Sequence, residues 1–268
     1  MDKIAVVIGA GKSAAPNTTD ADNSDAPELV IVPYIDTIEY FCVRYVPDGI
    51  RTHMENVIGR RRIIIEPALD RHGAVIGHRL AVHQPSPAAL LMGNHLQDVH
   101  RYGAPISRVD IAVDWCFPVP NINVETHQWM GDHVILRWRR PGRMHRYSDT
   151  LYWVNQRDRK EQGQRRSARD VGLYHDRPSK ITGVPCTHLE LKFQNAEACR
   201  RQGWHQPSDL LRIDPHELFN KHLRLAICDL AGRGFTRAQH LKHRRPQLIT
   251  ATGPLTALCI PRKLVFLP

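Results

Sequence analysis

The chain has 268 residues, 42% of them hydrophobic, which is enough for one large domain or for one domain with a small appendage. It carries 37 Lys and Arg against 27 Asp and Glu, a formal net charge of +10 at pH 7. Such an excess favours a polyanionic partner, above all nucleic acid, although a basic chain can also be basic for solubility alone.

The sequence has no run of about 18 or more uncharged apolar residues, so we expect no membrane-spanning helix and no membrane partner. Its first residues lack the pattern of a secretory signal. The six cysteines are scattered without a Cys-x-x-Cys pair, which argues against a zinc site or a disulfide framework. We therefore expect a cytoplasmic protein with reduced cysteines.

Residues 1–28 are rich in Ser, Thr, Asn, Asp and Ala and predict a flexible N-terminal tail. The tail contains Gly11-Lys12-Ser13, the end of a phosphate-binding loop motif. That motif also needs a glycine five residues before Gly11, and the residue there is Val6. The backbone cradle for a phosphate is therefore missing.

The following segments predict an antiparallel meander and not a series of βαβ units. Strands are expected within residues 29–45, at 63–65, at 78–83 and at 108–115, with a helix over 88–101 that begins at the Ser86-Pro87 cap. Residues 131–153 predict a strand-rich hairpin with a basic face, and residues 155–170 a polar loop.

The remaining segments predict a strand at 188–193, a helix at 195–202, and a helix that begins at Asp214-Pro215 and runs to Leu230. Together these elements indicate an α+β fold, with a central antiparallel sheet and flanking helices over residues 29–205. A mostly helical C-terminal segment spans residues 206–268. Two roles stay open for this segment, contact with duplex DNA or dimerisation, and its basic run at 237–245 favours the first.

Apolar and polar residues alternate along 108–115 and along 188–193. Alternation places Asp110 and Asp114 on one face of the first strand and Glu190 on the polar face of the second, so the carboxylates converge if the strands pair. Asp110 and Asp114 lie roughly 13 Å apart along their strand. We therefore expect one of them to join Glu190 as a ligand of Mg²⁺ or Mn²⁺, and the other to act at the outer shell, at a second ion or on an arginine. The alternative is an ordinary solvated sheet face.

Four short motifs occur in an order that resembles a known family: residues 106–114 (Arg-x-Asp-x-x-x-Asp), 150–152 (Thr-x-Tyr), 172–177 around a tyrosine, and 188–192 (x-x-Glu-x-Lys). They are similar to motifs of the replication initiation factor family, Rep_trans, of rolling-circle plasmids and filamentous phages. The resemblance covers residues 31–202. It departs from the family at Gly172 and His188, where the family has arginines, and at His175-Asp176-Arg177 after the tyrosine.

The resemblance implies a metal-dependent DNA nicking and joining enzyme in which Tyr174 is the nucleophile. Lys192, Arg177 or Arg169 would hold the phosphate, His175 would carry a proton, and Asp110, Asp114 and Glu190 would supply the metal ligands. The implied partner is origin DNA, single-stranded or extruded as a hairpin, with a host helicase and polymerase and a second copy of the chain as further partners.

Two alternatives stay open from the sequence. Tyr152 is a second candidate nucleophile, although its apolar neighbours favour packing. A non-catalytic DNA- or RNA-binding protein, acting as a repressor or a ribonucleoprotein component, would also be basic and would need neither tyrosine.

Overall fold

The computed structural model describes residues 29–43, 45–70, 72–99, 104–117, 119–137, 143–147, 149–154, 168–226, 255–256, 258 and 260–267. Within these ranges the strands are β1 (Val30–Cys42), β2 (Ile63–Leu69), β3 (Val75–His83), β4 (Ile106–Cys116), β5 (Val134–Leu136), β6 (Arg143–Tyr147), β7 (Thr150–Val154), β8 (Arg169–Tyr174), β9 (Cys186–Phe193), β10 (Leu223–Ala226) and β11 (Leu255–Thr256). The helices are α1 (Asp48–Ile58), α2 (Pro87–Val99), α3 (Pro120–His133), α4 (Ala196–Arg200) and α5 (Pro215–His222), with short 3-10 helices at Arg60–Arg62 and Pro207–Arg212.

Eight strands form one sheet in the order β2-β3-β1-β4-β9-β8-β7-β6, and each neighbouring pair is antiparallel. A small second sheet has the order β11-β10-β5. The predicted α+β fold, with a central antiparallel sheet and flanking helices, is confirmed. The first predicted strand region forms the single strand β1, which lies inside the sheet between β3 and β4.

The main core lies on one face of the large sheet. The odd-numbered residues of β4 and β9 enter it, and Val109, Ile111 and Leu191 are fully buried there. Helix α1 adds three residues at i, i+4 and i+8 to the same cluster: Ile50, Met54 and Ile58. Because side chains alternate along a strand, the even-numbered residues of β4 and β9 must lie on the opposite face.

Helix α3 was not predicted from the sequence, and the residues that it buries explain why. The side chains it buries are Asn123, His127 and Met130, so its inner face does not form an apolar stripe. Asn123 donates to the carbonyl of Phe117, and His127 Nε2 lies 3.3 Å from the carbonyl of Leu173. Residues 131–133, predicted within the hairpin, belong to this helix.

The helix predicted to run from Asp214 to Leu230 is wrong for residues 223–226, and residues 227–230 lie outside the described part of the chain. Its start is confirmed, because Asp214 Oδ1 accepts a hydrogen bond from the Glu217 amide at 3.0 Å. At Leu223 the chain becomes β10, which pairs with β5 and β11. The free backbone groups of these two strands override the helical spacing of the sequence.

The predicted tail over 1–28, the basic run at 237–245 and most of the predicted loop at 155–170 lie outside the described residues. The last described stretch, 260–267, returns to the large sheet, where the Val265 amide donates to the carbonyl of Pro33. Among the helices in the described ranges, none is long and apolar enough to cross a membrane.

Helix α2 approaches β1 closely at Gly93. A Cβ at this position would overlap the hydroxyl oxygen of the fully buried Tyr40 and would lie 3.0 Å from Pro207 Cγ. We expect Gly93→Ala to lower the free energy of unfolding by about 1–3 kcal/mol, because it overpacks this contact. Gly49 in α1 has nothing within 4 Å of such a Cβ, so Gly49→Ala should be neutral or stabilising by up to about 1 kcal/mol. Urea denaturation of both variants tests this, and equal losses in the two would contradict it.

Candidate active site

The two acidic strands lie side by side, as the sequence predicted. On the face opposite the main core, their register forms three rows: Asp110 with Lys192, Ala112 with Glu190, and Asp114 with His188. Strand β8 extends all three rows, because Asp170 lies beside Lys192, Gly172 beside Glu190 and Tyr174 beside His188. The predicted tyrosine therefore projects from the sheet face that carries the predicted carboxylates.

A fourth strand, β1, brings Asp36 to this face through a β-bulge. Between Ile35 and Thr37, β1 advances by two residues while β4 advances by one, from Ile111 to Asp110. Asp36 is the extra residue of β1. Bulges of this kind redirect a side chain and recur beside active sites.

Asp36, Asp110 and Glu190 form one carboxylate cluster, which we call the acidic triad. One oxygen from each residue lies within 4.8 Å of the other two. The three residues are 5%, 0% and 4% exposed. Asp114 is not a member of this group, because its Oδ1 lies 2.5 Å from His188 Nδ1 in the next row of the sheet.

Each carboxylate of the acidic triad contacts a cation. Lys180 Nζ lies 2.6 Å from Asp36 Oδ1, and Lys192 Nζ lies 2.7 Å from Glu190 Oε2. Arg108 donates from Nε to Asp110 Oδ1 at 3.0 Å and from a terminal nitrogen to Asp110 Oδ2. Three carboxyl groups thus lie against three cationic side chains.

The protonation of the acidic triad follows from this arrangement. Burial and the neighbouring Glu190 carboxylate raise the pKa of Asp110 to about 7, although Arg108 opposes the shift. Burial acts in the same direction on Asp36, but the Lys180 ammonium outweighs it and lowers the pKa of Asp36 below its ordinary value. Burial favours neutral Lys192, yet Glu190 and Asp110 raise its pKa overall, so this side chain stays charged.

Tyr174 is half-buried at the end of β8. Burial raises its pKa well above the ordinary value, and the carboxylates of Glu190, Asp36 and Asp114 raise it further. Its phenol is therefore protonated at neutral pH in the protein alone. A cation beside the reacting group, or removal of the proton during attack, is needed to make it a nucleophile.

The other predicted site residues lie in different surroundings. The His175 ring lies against His127 of α3, with 4.6 Å between the ring centroids. The Arg177 side chain is 73% exposed and its Nε lies 3.8 Å from Asp176 Oδ2.

Arg169 and Tyr174 are five residues apart on β8. Because side chains alternate along a strand, the Arg169 side chain lies on the face of the sheet opposite to Tyr174. Tyr152 lies beside Gly172, where its ring would be 3.6 Å from an added Cβ.

The acidic triad fits a hard divalent cation. Mg²⁺ and Mn²⁺ prefer carboxylate oxygens, and three such groups with oxygens this close repel one another unless positive charge lies between or beside them. The three cations already satisfy part of that need. An ion-pair network that only holds the strands together is therefore the competing interpretation of the same geometry.

Two residues of this site, Asp36 and Lys180, were missed from the sequence. Asp36 had a signal, since it is an acidic residue within a predicted strand region that is otherwise rich in apolar residues such as Ile35 and Ile38. Lys180 had none, because it lies in the connection between β8 and β9 and meets Asp36 from 144 positions away.

No family model matches the chain, and no curated protein sequence matches it. The structure is similar to that of a rolling circle replication initiator protein from Geobacillus stearothermophilus, with 12% sequence identity and a TM-score of 0.38. The alignment covers 88% of this chain and 100% of that chain. A TM-score of this size establishes neither a common fold nor a common function.

Proposed function

We propose that this chain is a rolling-circle replication initiator that nicks and rejoins origin DNA through Tyr174. The observation that carries the proposal is the position of Tyr174, which lies on the same sheet face as the acidic triad. Tyr174 lies on β8, the strand next to that of Glu190. Its register partner is His188, two residues before Glu190 on β9. A phenol supplies the nucleophile for transesterification of a phosphodiester, and cations held beside it stabilise the charge that develops on the phosphoryl oxygens.

In the proposed reaction, Tyr174 Oη attacks a phosphorus atom of the DNA backbone. A bond forms between Oη and phosphorus, and the bond from phosphorus to the 3′ oxygen breaks. The phenol loses its proton as it attacks, and the departing 3′ oxygen takes up a proton. The products are a 5′-phosphotyrosine and a free 3′-OH, and the reverse reaction rejoins the strand.

Asp36, Asp110 and Glu190 would hold Mg²⁺ or Mn²⁺. When bound, the ion neutralises charge that develops on the phosphoryl oxygens. Lys180 and Lys192 already lie at the carboxylates, where their ammonium groups can also contact the phosphate. Gly172 leaves the space beside Glu190 without a side chain of its own.

The net charge of +10 supports DNA as the partner, because each phosphate contact releases counterions. Single-stranded or extruded origin DNA is the proposed substrate, as the resemblance of the sequence motifs implies. A host helicase, a polymerase and a second copy of the chain are the further partners of this proposal, together with a cytoplasmic location.

A second candidate function is a nucleic-acid-binding protein without catalysis. The contacts of Lys180, Arg108 and Lys192 favour it, because they neutralise the acidic triad without a metal ion. Such a protein would bind DNA or RNA with strong salt dependence and would form no covalent product.

Covalent capture from a randomised single-stranded DNA library distinguishes the two candidates. Wild-type protein is incubated with the library and Mn²⁺, denatured in detergent, and tested for DNA that stays attached. We expect adducts, and at least about a 100-fold reduction in EDTA, since a metal contributes several kcal/mol to such a reaction. Salt-sensitive binding with no adduct in Mn²⁺ or Mg²⁺ would contradict the nicking function and favour the second candidate.

A further inference from the structure

Asp114, His188 and Tyr174 lie in one row across three neighbouring strands. Asp114 of β4 is the register partner of His188 of β9, and His188 is the register partner of Tyr174 of β8. Neither Asp114 nor His188 belongs to the acidic triad, and the proposed reaction above gives them no role. The row connects directly to the proposed nucleophile.

The contacts within the row are close. His188 Nδ1 lies 2.5 Å from Asp114 Oδ1 and 3.5 Å from the Tyr34 hydroxyl. On its other side the His188 ring stacks on the Tyr174 ring, with 4.2 Å between centroids and 28° between planes. Asp114 is 0% and His188 2% exposed, so both are fixed within the fold.

The partners of His188 define its orientation. With Asp114 accepting from Nδ1–H, the ring has one position relative to β4. His188 Nε2 and Asp114 Oδ2 are buried and have no hydrogen-bond partner within the described part of the chain. Burying two polar atoms without partners costs free energy of folding. The Asp114–His188 pair is therefore an inefficient way to stabilise the contact between β4 and β9 alone.

The stacked geometry also limits what His188 does for Tyr174. The lone pair of Nε2 lies in the plane of the imidazole, whereas the Tyr174 ring lies over the face of that plane. A hydrogen bond from the Tyr174 hydroxyl of the same molecule to Nε2 is therefore not formed in this arrangement. The two residues contact each other through the faces of their rings, and this stacking orients the phenol.

We propose that Asp114 and His188 are positioning residues for Tyr174, with Asp114 fixing the His188 ring and the His188 ring fixing the phenol on the face of the acidic triad. This inference rests on the proposed nicking function. It assigns Asp114 to the orientation of the nucleophile, while the acidic triad holds the cation. It also assigns a role to His188, a position at which the sequence departs from the family that its motifs resemble.

The test compares Asp114→Leu with Asp114→Asn. Leucine keeps much of the volume but gives Nδ1–H no acceptor, whereas asparagine still offers an oxygen. We expect Asp114→Leu to lower kcat for adduct formation about 10–100-fold, because misplacing a reacting group by about 1 Å has effects of this size. The Kd for DNA should stay within about twofold, since the phosphate-contacting cations are unchanged. Asp114→Asn should recover kcat to within about fivefold of the wild type.

A structural role alone would move the unfolding transition without separating kcat from Kd. A folded Asp114→Leu protein with the wild-type kcat would overturn the proposal, as would an asparagine variant as impaired as the leucine variant. The control Cys186→Ala alters the neighbouring row on β9 and should not produce the same separation of kcat from Kd.

A second measurement keeps the proposal testable if Asp114→Leu does not fold or if no nicking occurs. In wild-type protein labelled with ¹³C-tyrosine, the Tyr174 ring signals are assigned by their loss in Tyr174→Phe. We expect nuclear Overhauser contacts to the His188 ring and slow flipping of the phenol. A freely rotating Tyr174 ring without those contacts would overturn the positioning role. Absence of adducts with the contacts present would instead overturn only the nicking function.

Discussion

Tyr174→Phe should abolish covalent attachment of DNA, lowering the rate of adduct formation by at least about 10³-fold, because removal of a nucleophile leaves only residual catalysis. The substitution removes one oxygen and keeps the ring that stacks on His188. The fold and the DNA affinity should therefore change little. The rate is measured by detergent-stable adduct formation on a captured sequence in the presence of Mn²⁺.

Tyr152→Phe is the matched control for this experiment. Tyr152 is also half-buried, and it lies on the neighbouring strand β7 beside Gly172. Its hydroxyl has no part in the proposed reaction, so this variant should form adducts at a rate close to the wild type. Loss of adducts in Tyr152→Phe with retention in Tyr174→Phe would transfer the nucleophilic role to Tyr152.

Asp36→Asn should remove most of the Mn²⁺ binding, whereas Asp114→Asn should preserve it. Asp36 is a member of the acidic triad, and Asp114 contacts His188 instead. Changes to residues that hydrogen-bond a metal ligand cost about 10–100-fold in metal affinity, so loss of a charged ligand itself should cost at least about 100-fold. Asp114 contacts no member of the acidic triad, so neither cost applies to it. Isothermal titration of each variant with Mn²⁺ measures the difference, and thermal unfolding checks that both variants fold.

This pair of variants distinguishes between two candidate sets of metal ligands. The sequence motifs predict Asp110, Asp114 and Glu190, whereas the geometry indicates the acidic triad, in which Asp36 replaces Asp114. Loss of Mn²⁺ binding in Asp114→Asn together with retention in Asp36→Asn would favour the first set. Absence of Mn²⁺ binding in the wild type would favour the ion-pair network.

The strands that carry the site were predictable because their information is local. Alternation along β4 and β9 is visible in six to eight consecutive residues, and it fixed which residues share a face. The position of Asp36 was not predictable in the same way. It depends on a bulge in β1 that appears only when β1 pairs with β4. Lys180 depends on how the connection after Tyr174 folds back across the sheet.

The missed helix and the wrong helix have different physical causes. Helix α3 buries Asn123 and His127, whose polar groups find backbone carbonyls, so a search for apolar periodicity passes over it. The segment after His222 has apolar residues at helical spacing, yet it becomes β10 because strands on both sides offer hydrogen bonds. In both cases the local sequence gives helix and non-helical conformations similar free energies, and tertiary contacts determine which of them forms.

The most direct test of the central claim is to locate the DNA attachment site by mass spectrometry. Wild-type protein is reacted with a captured oligonucleotide in Mn²⁺, digested with nuclease and protease, and searched for a peptide that retains a nucleotide 5′-phosphate. We predict that the modified residue is Tyr174 and that the modified peptide is absent from a parallel reaction in EDTA. Attachment at another residue, or equal modification of Tyr174 in EDTA, would contradict a reaction in which Tyr174 and the acidic triad act together.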